Sequence, residues 1–147
     1  MGTVEAVDLV GLAAEETARA GAELDAADSS QAVVVHGVAK LLRRAVRNLL
    51  ENARRYSDGP VSVEVVREGS TAVVRVRDHG PGVPQVERER IFEPFYRLHG
   101  ASERAGGVGL GLALVRSIAT RHQGSVRCED RPGGGALFII SLPCHHM

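Results

Sequence analysis

Three polar residues recur at every fourth position in the middle of the chain: Asn48, Asn52 and Tyr56. At about 100° per residue they follow one another along one side of a helix, at the border between its apolar and its charged arcs. Because asparagine is a mediocre helix former, two of them on one stripe suggest a function. An amide oxygen is a neutral, hard ligand that suits a Mg²⁺ ion already bridging phosphates. Taken alone, surface or capping asparagines explain the stripe more simply.

A carboxylate and two glycines follow a strand-like run, as Asp-His-Gly-Pro-Gly at positions 78–82. A carboxylate at a strand end can accept a hydrogen bond from the exocyclic amine of adenine. Glycines allow the backbone to turn sharply and to approach a ring without obstruction by a Cβ atom. A turn that binds nothing fits the same residues about equally well.

A third pattern, Gly107-Val108-Gly109-Leu110-Gly111, precedes a helical run. The start of a helix leaves backbone N–H groups unpaired at its positive end, where phosphates bind readily. The pattern is neither a dinucleotide fingerprint, since no strand abuts it, nor a P-loop, since no Gly-Lys-Ser/Thr follows. Ahead of it, Arg97 and Arg104 lie in a segment that we predict to be a mobile flap, and Phe92 and Phe95 are expected to pack the base of this flap against the core.

The elements that must position these residues follow from the apolar periodicity. Helices are predicted over 7–24, 39–56 and 109–122, and strands over 31–35, 61–67, 71–77, 125–129 and 136–142. Residues 78–107 are predicted to be irregular apart from a helical turn near 87–92, which is typical of a lid or binding loop. The predicted fold class is α+β, a two-layer sandwich with helices on one face of a mixed, mostly antiparallel sheet.

Composition narrows the functional class. The 147 residues suit one domain, and the 18 basic residues equal the 18 acidic ones. This balance offers no electrostatic argument for binding nucleic acid or an anionic membrane. No apolar run approaches the roughly 18 residues needed to span a bilayer. We therefore expect a cytoplasmic domain that contacts neither nucleic acid nor membrane.

In this order, the motifs resemble those of the ATP-binding catalytic domain of bacterial sensor histidine kinases, which belongs with the gyrase, heat-shock chaperone and MutL ATPases in the Bergerat-fold superfamily. The resemblance extends over almost the whole chain. Asn48–Ala53 is similar to the N box, Asp78–Gly82 to the first glycine box, Ile91–Arg97 to the F box and Gly107–Gly111 to the second glycine box. The run Phe-Glu-Pro-Phe-Tyr-Arg is typical of histidine kinases rather than of their relatives.

The resemblance implies a ligand for each matching residue. It implies that Asn52 is the main Mg²⁺ ligand with Asn48 in support, and that Asp78 recognises the adenine amine. The other implied adenine contacts are Tyr56, Gly80 and Gly82, and the other implied phosphate contacts are Arg55, Arg97, Arg104, Gly107, Val108, Gly109, Leu110 and Gly111.

The sequence departs from the family pattern in three places. Val108 stands where a hydroxyl residue is common, and the range 36–38 (His-Gly-Val) replaces a Gly-Asp pair before the N-box helix, so a helix-capping side chain is lost. The third departure is the missing phosphoacceptor motif. The Glu/Asp-x-x-Thr/Asn-Pro pattern follows none of the histidines tested: His36, His79, His99 and His122.

The implied function is therefore donation of the γ-phosphoryl group of ATP to a histidine outside this chain. The acceptor would belong to a dimerisation domain of the same membrane-anchored receptor or of a split partner protein, with a response regulator downstream. Residues 1–147 would form a single catalytic domain, monomeric on its own, with an ATP lid at about 97–107. Glu51 is a conceivable base, but its helical angle favours a solvated charge.

Three alternatives stay open. An anti-sigma-factor serine kinase uses a related pocket, although Phe-Glu-Pro-Phe argues against it. A nucleotide-sensing module without catalysis is suggested only by Val108. A hydrolysing ATPase of the gyrase or MutL type usually needs a carboxylate at the position of Asn48, because an amide cannot act as a general base.

Overall fold

The computed structural model describes residues 2–25, 32–96 and 110–144. Its helices are α1 (Leu9–Ala20), α2 (Ala39–Tyr56) and α3 (Gly111–Arg121), and single 3₁₀ turns lie at Gln85–Glu87 and Arg90–Phe92. Its strands are β1 (Val4–Asp8), β2 (Glu23–Asp25), β3 (Val34–Val38), β4 (Ser62–Glu68), β5 (Thr71–Arg77), β6 (Ser125–Asp130) and β7 (Ala136–Pro143).

The main sheet is open and has five strands in the order β2-β4-β5-β7-β6. The β2–β4 pair is parallel and the other three pairs are antiparallel, while β1 and β3 form a separate antiparallel pair. The helices pack on one face of the main sheet, where side chains such as Val74, Val76 and Phe138 are buried with helix residues in a common core. The predicted α+β fold with a mostly antiparallel sheet is confirmed. The predicted lid lies outside the described residues.

Helix α2 has the bounds that the periodicity predicts. Its buried residues are the apolar arc Leu42, Ala45, Val46, Leu49, Leu50 and Ala53. The helix begins after Val38 without any capping side chain of its own, as the missing Gly-Asp pair predicts. Instead, the Val38 N–H donates to Nε2 of the buried His122 at 3.1 Å. A side chain from the end of α3 thus caps a residue that local sequence leaves uncapped.

The opposite face of the main sheet also buries apolar residues. Val73, Leu137 and Ile139 are at most 8% exposed and form a small cluster of their own. On the same face, Arg75 lies opposite Ile139 and Arg77 lies opposite Leu137, and both arginines pair with Glu64. Long arginine stems cover neighbouring apolar surface while their charged ends stay at the solvent. In the part of the chain that the structure describes, arginine stems and ion pairs therefore cover this face of the sheet.

The predicted helix over 7–24 is wrong at both ends. Residues 4–8 form β1, and the Asp8 carboxylate caps α1 by accepting from the N–H groups of Val10 and Gly11. Gly21, with φ of 69°, ends the helix in the left-handed conformation that glycine adopts without strain. Residues 23–25 then pair as β2. The strand predicted over 31–35 is shifted and lies at 34–38.

Candidate functional site

A cleft of about 430 Å³, measured to its open mouth, lies between α2, the segment after β5 and the inner face of the sheet. Three predicted polar residues line it together: Asn52, Tyr56 and Asp78. Its apolar lining includes Ile91, Ala136 and Phe138. A concave site with few polar groups on an apolar wall is typical of a small-molecule site.

Asp78 is the most rigidly held of these residues. It is 3% exposed, and its Oδ1 atom accepts from the backbone N–H groups of Gly80 at 2.9 Å and Ala136 at 3.0 Å. Its own N–H donates to the Ala136 carbonyl at 3.1 Å, so Asp78 and Ala136 exchange two hydrogen bonds, one through the backbone and one through the carboxylate. Because Oδ1 already has two donors, Oδ2 is the oxygen that can accept a bond from a ligand.

The glycines around Asp78 are required by close backbone approach. A Cβ atom at Gly80 would overlap the Tyr56 carbonyl, so the loop lies directly against the end of α2. Gly82 has φ of 80° and lies beside Gly135, whose own φ is 99°. A Cβ atom at Gly135 would overlap the Asp78 carbonyl. Sequence reasoning missed this contact between Gly135 and Asp78, and its signal was the run of three glycines at 133–135.

The asparagine stripe is divided between two surfaces. Asn52 and Tyr56 line the cleft, whereas Asn48 and the exposed Arg55 line an adjoining groove at the start of α3. Asn48 Nδ2 donates to the Gly111 carbonyl at 3.3 Å, which ties the N-box helix to the first turn of α3. The stripe therefore faces the cleft at one end and holds α3 at the other.

The second glycine box is described only at its end. Leu110, 43% exposed, precedes α3, and Gly111 is the first helical residue. No side chain caps this helix at Leu110, which leaves the first-turn N–H groups of α3 turned outward. The other predicted phosphate contacts, Arg97, Arg104, Gly107, Val108 and Gly109, lie outside the described residues.

The two F-box phenylalanines differ in placement. Phe92 is buried and makes an edge-to-face contact with Phe138, with ring centroids 6.2 Å apart. The prediction for Phe95 is wrong, because this side chain is 70% exposed on a backbone with φ of 67°. Tyr96 lines the cleft and donates its hydroxyl proton to Glu87 at 2.6 Å, and this bond raises the pKa of the phenol.

His122 is a second residue that sequence reasoning missed. Its Nε2 atom accepts from Val38, so Nδ1 carries the proton and donates to the Ile118 carbonyl at 2.7 Å. A Cβ atom at Gly37 would lie 2.5 Å from the imidazole ring. His122 therefore joins the end of α3 to the start of α2, while Asn48, in the middle of α2, joins that helix to the start of α3. The available signal was the missing cap before α2.

Metal and membrane features follow from the described ranges alone. Residues 2–25, 32–96 and 110–144 contain no cluster of three or more histidine, cysteine, aspartate or glutamate side chains placed to hold a metal. Among the helices of those ranges, none is both long enough and apolar enough to cross a bilayer.

These features coincide with a family match. Residues 37–146 match the model of the histidine kinase-, DNA gyrase B- and HSP90-like ATPases. The chain belongs to this family, and the resemblance inferred from the four motifs is confirmed.

Named relatives place it among the sensor histidine kinases. The chain is 44% identical over 108 residues to the sensor protein RstB of Escherichia coli K12, covering 73% of this chain and 25% of RstB. It therefore spans about a quarter of the length of this curated relative. The fold resembles the mycobacterial sensor histidine kinase MprB, with a TM-score of 0.85 at 30% identity, covering 97% of this chain and 100% of that structure. It also resembles full-length ShkA in complex with AMPPNP, with a TM-score of 0.80 at 27% identity over 100% of this chain and 32% of ShkA.

Proposed function

We propose that this domain binds Mg·ATP in the cleft and donates its γ-phosphoryl group to a histidine on a dimerisation domain that this chain does not supply. The observation that carries the proposal is the convergence of Asn52, Tyr56 and Asp78 on one cleft with an apolar wall. The nucleotide analogue bound by ShkA supports the choice of ligand.

Adenine would lie beside Asp78 in the cleft. Asp78 Oδ2 would accept from the exocyclic amine, since its partner oxygen is already bonded twice. Ile91 and Phe138 provide apolar contact for the ring faces, and Tyr56 covers the open edge. The glycines at 80 and 82 shape this wall by keeping it free of side chains.

The metal and phosphates would lie beside Asn52 and towards the adjoining groove at the start of α3. Asn52 carries the only side-chain amide that lines the cleft within the described residues, and its oxygen suits Mg²⁺ that keeps water and phosphate oxygens as its other ligands. Bound there, Mg²⁺ would offset negative charge on the phosphates. Asn48 would support this arrangement by holding the start of α3, and Arg55 lies beside the same groove. Arg97, Arg104 and the glycines at 107, 109 and 111 complete the proposed phosphate contacts together with Val108 and Leu110.

Transfer itself needs little covalent chemistry from the protein. An imidazole nitrogen of the acceptor histidine forms a bond to the γ-phosphorus as the bond to the β–γ bridging oxygen breaks, and ADP leaves with that electron pair. The protein contributes positioning and charge stabilisation, which dominate in phosphoryl transfer. A base from the acceptor domain would take the imidazole proton. Glu51 is exposed and does not line the cleft, although it lines the adjoining groove with Asn48 and Arg55.

We also propose how this domain is arranged within a larger kinase. Residues 1–147 act as one catalytic domain with a lid at about 97–107, monomeric alone and on the cytoplasmic side of a membrane-anchored sensor kinase. The acceptor domain comes from the same receptor or from a split partner, and a response regulator receives the phosphoryl group next.

The test is incubation of the chain with [γ-³²P]ATP, Mg²⁺ and a candidate dimerisation domain. Label on that domain that is lost in acid and stable in base identifies phosphohistidine and supports the proposal. Acid-stable label identifies the serine-kinase alternative instead. Tight ATP binding with no label on any acceptor domain tried would favour the nucleotide-sensing alternative.

A further inference from the structure

The turn that follows α2, residues 57–60, grips the residue next to Asp78; we call it the clamp turn. Ser57 Oγ accepts the backbone N–H of His79 at 3.2 Å. His79 Nδ1 lies 2.8 Å from the Pro60 carbonyl, which can only accept, so Nδ1 carries the proton. At Gly59, an added Cβ atom would lie 3.1 Å from the His79 Cβ, so the turn presses against this side chain as well. Three contacts therefore fix one residue.

Ser57 is a buried part of this clamp. It is 3% exposed, and its hydroxyl oxygen accepts from Gly59 N–H as well as from His79 N–H, both at 3.2 Å. These two bonds occupy both lone pairs. Removal of the hydroxyl would leave two backbone donors without their acceptor, so the loop would have to move to find other partners.

The clamp turn connects the two segments that line the cleft with polar side chains, α2 and the segment that carries Asp78. His79 separates Asp78 from Gly80, and Gly80 N–H is one of the two donors that hold Asp78 Oδ1. The clamp turn continues directly from α2, which carries Asn52 and Tyr56. The position of the carboxylate relative to α2 thus depends on Ser57 and His79, neither of which lines the cleft.

We propose that Ser57 and His79 are positioning residues that set the discrimination between adenine and guanine nucleotides. This inference rests on the proposed function, because Asp78 must be the group that reads the base. A carboxylate accepts from the amine of adenine but repels the carbonyl oxygen that guanine presents at that position. The difference in affinity between the two bases falls when the carboxylate is free to shift. A displaced oxygen loses its hydrogen bond to the adenine amine and also avoids the repulsion from the guanine carbonyl.

The experiment compares dissociation constants of the whole chain for ATP and GTP in Mg²⁺ by calorimetry. For Ser57→Ala, the ratio of the GTP constant to the ATP constant should fall about tenfold, equivalent to about 1.4 kcal/mol. Ser57→Thr keeps the hydroxyl and should restore the ratio. Ser125→Ala, which changes an exposed serine on β6, is the matched control and should leave it unchanged.

A second variant, which leaves the buried hydroxyl in place, tests the same proposal if Ser57→Ala folds poorly. His79→Ala changes an exposed side chain, removes only the bond to Pro60 and should lower the ratio about threefold. A lower unfolding midpoint with an unchanged ratio in both variants would mean that the clamp is merely structural and would overturn the inference. Wild-type protein that binds ATP and GTP equally would overturn the proposed function itself, and the clamp with it.

Discussion

The two sides of α2 use opposite chemistry. The side that faces α1 carries arginines, and Arg43, Arg47 and Arg54 all bond to that helix. The side that faces the cleft carries the neutral residues Asn52 and Tyr56. One helix thus separates charge that holds the fold together from polar groups that remain available to a ligand.

The side of α2 that faces α1, which we call the back side, has its arginines paired within the fold. The Glu16 carboxylate is buried and accepts from Arg47 Nε at 2.8 Å and from Arg43 Nη1 at 3.2 Å. Arg54 donates to the carbonyls of Ala20 and Gly21 at the end of α1, where a positive charge is favourable. The arginines of α2 that bond to α1 are therefore not directed at the proposed phosphate site. Under the proposed function, the phosphates would instead be held through Asn52, through a metal and by Arg55, which lines the adjoining groove.

The largest effect should follow a change on the cleft side. Asn52→Ala should abolish Mg²⁺-dependent ATP binding and reduce phosphoryl transfer at least about 100-fold, or about 2.7 kcal/mol, because the amide ligand is lost. The free energy of unfolding should change little, since Asn52 is only half-buried. Calorimetry with and without Mg²⁺ measures the first effect and urea unfolding the second. Undiminished Mg²⁺-dependent binding would refute the assignment of the metal to Asn52.

The back side should show the reverse pattern. Glu16→Ala leaves two arginines without their shared partner and should lower the free energy of unfolding by about 2 kcal/mol, less than for a fully buried pair because both arginines are partly exposed. The ATP dissociation constant should stay within about twofold of the wild type. Glu15→Ala is the matched control, because Glu15 is exposed and pairs with Arg43 alone, so its effect should stay below about 0.5 kcal/mol. A larger loss for Glu15 than for Glu16 would contradict this account.

Acid should weaken the back side through the same carboxylate. The bond from Arg47 holds the pKa of Glu16 below its ordinary value of 4.5. A depressed folded-state pKa contributes stability that is complete above the unfolded value and is lost as the pH falls through the folded-state value. Urea midpoints should therefore drop less between pH 6 and pH 3 in Glu16→Gln than in the wild type. Equal acid sensitivity in both proteins would show that other carboxylates dominate.

The smallest effect is expected where the back side meets the end of α1. Arg54→Gln removes a charged donor from the Ala20 and Gly21 carbonyls and should cost about 0.5 kcal/mol of unfolding free energy. It should leave both ATP binding and transfer unchanged, which makes it a same-helix control for Asn52→Ala. A marked loss of ATP affinity would show that Arg54 contributes to the cleft side of α2 and would contradict this assignment.

The sequence pattern predicts those features that depend on neighbouring residues. The bounds of α2 follow from an apolar arc that is buried as a whole and from the turn that ends it. The first helix was extended too far because alanine and glutamate continue past its caps, although Asp8 and Gly21 are ordinary start and stop signals. Phe95 was misplaced because spacing alone does not reveal a left-handed backbone, which turns the side chain out of the core.

Long-range contacts explain what sequence reasoning missed. The motifs predicted Asn52, Tyr56 and Asp78 as site residues, and the fold brings them to one cleft. Two hydrogen bonds that hold α3 against α2 join residues that are far apart in the chain. His122 lies 84 positions from Val38, and Asn48 lies 63 positions from Gly111. Periodicity carries no information on such pairs, since they form only when the helices pack.

The two donors on Asp78 Oδ1 have a consequence for the order of folding. Gly80 is two positions away, but Ala136 is 58 positions away and belongs to the strand that pairs with β5. The carboxylate that we propose to read the base therefore has both donors only after β7 has paired with β5, a pairing of high sequence separation that is slow to form. Nucleotide added to a refolding chain should meet a finished pocket only after that step. It should then slow unfolding without accelerating folding.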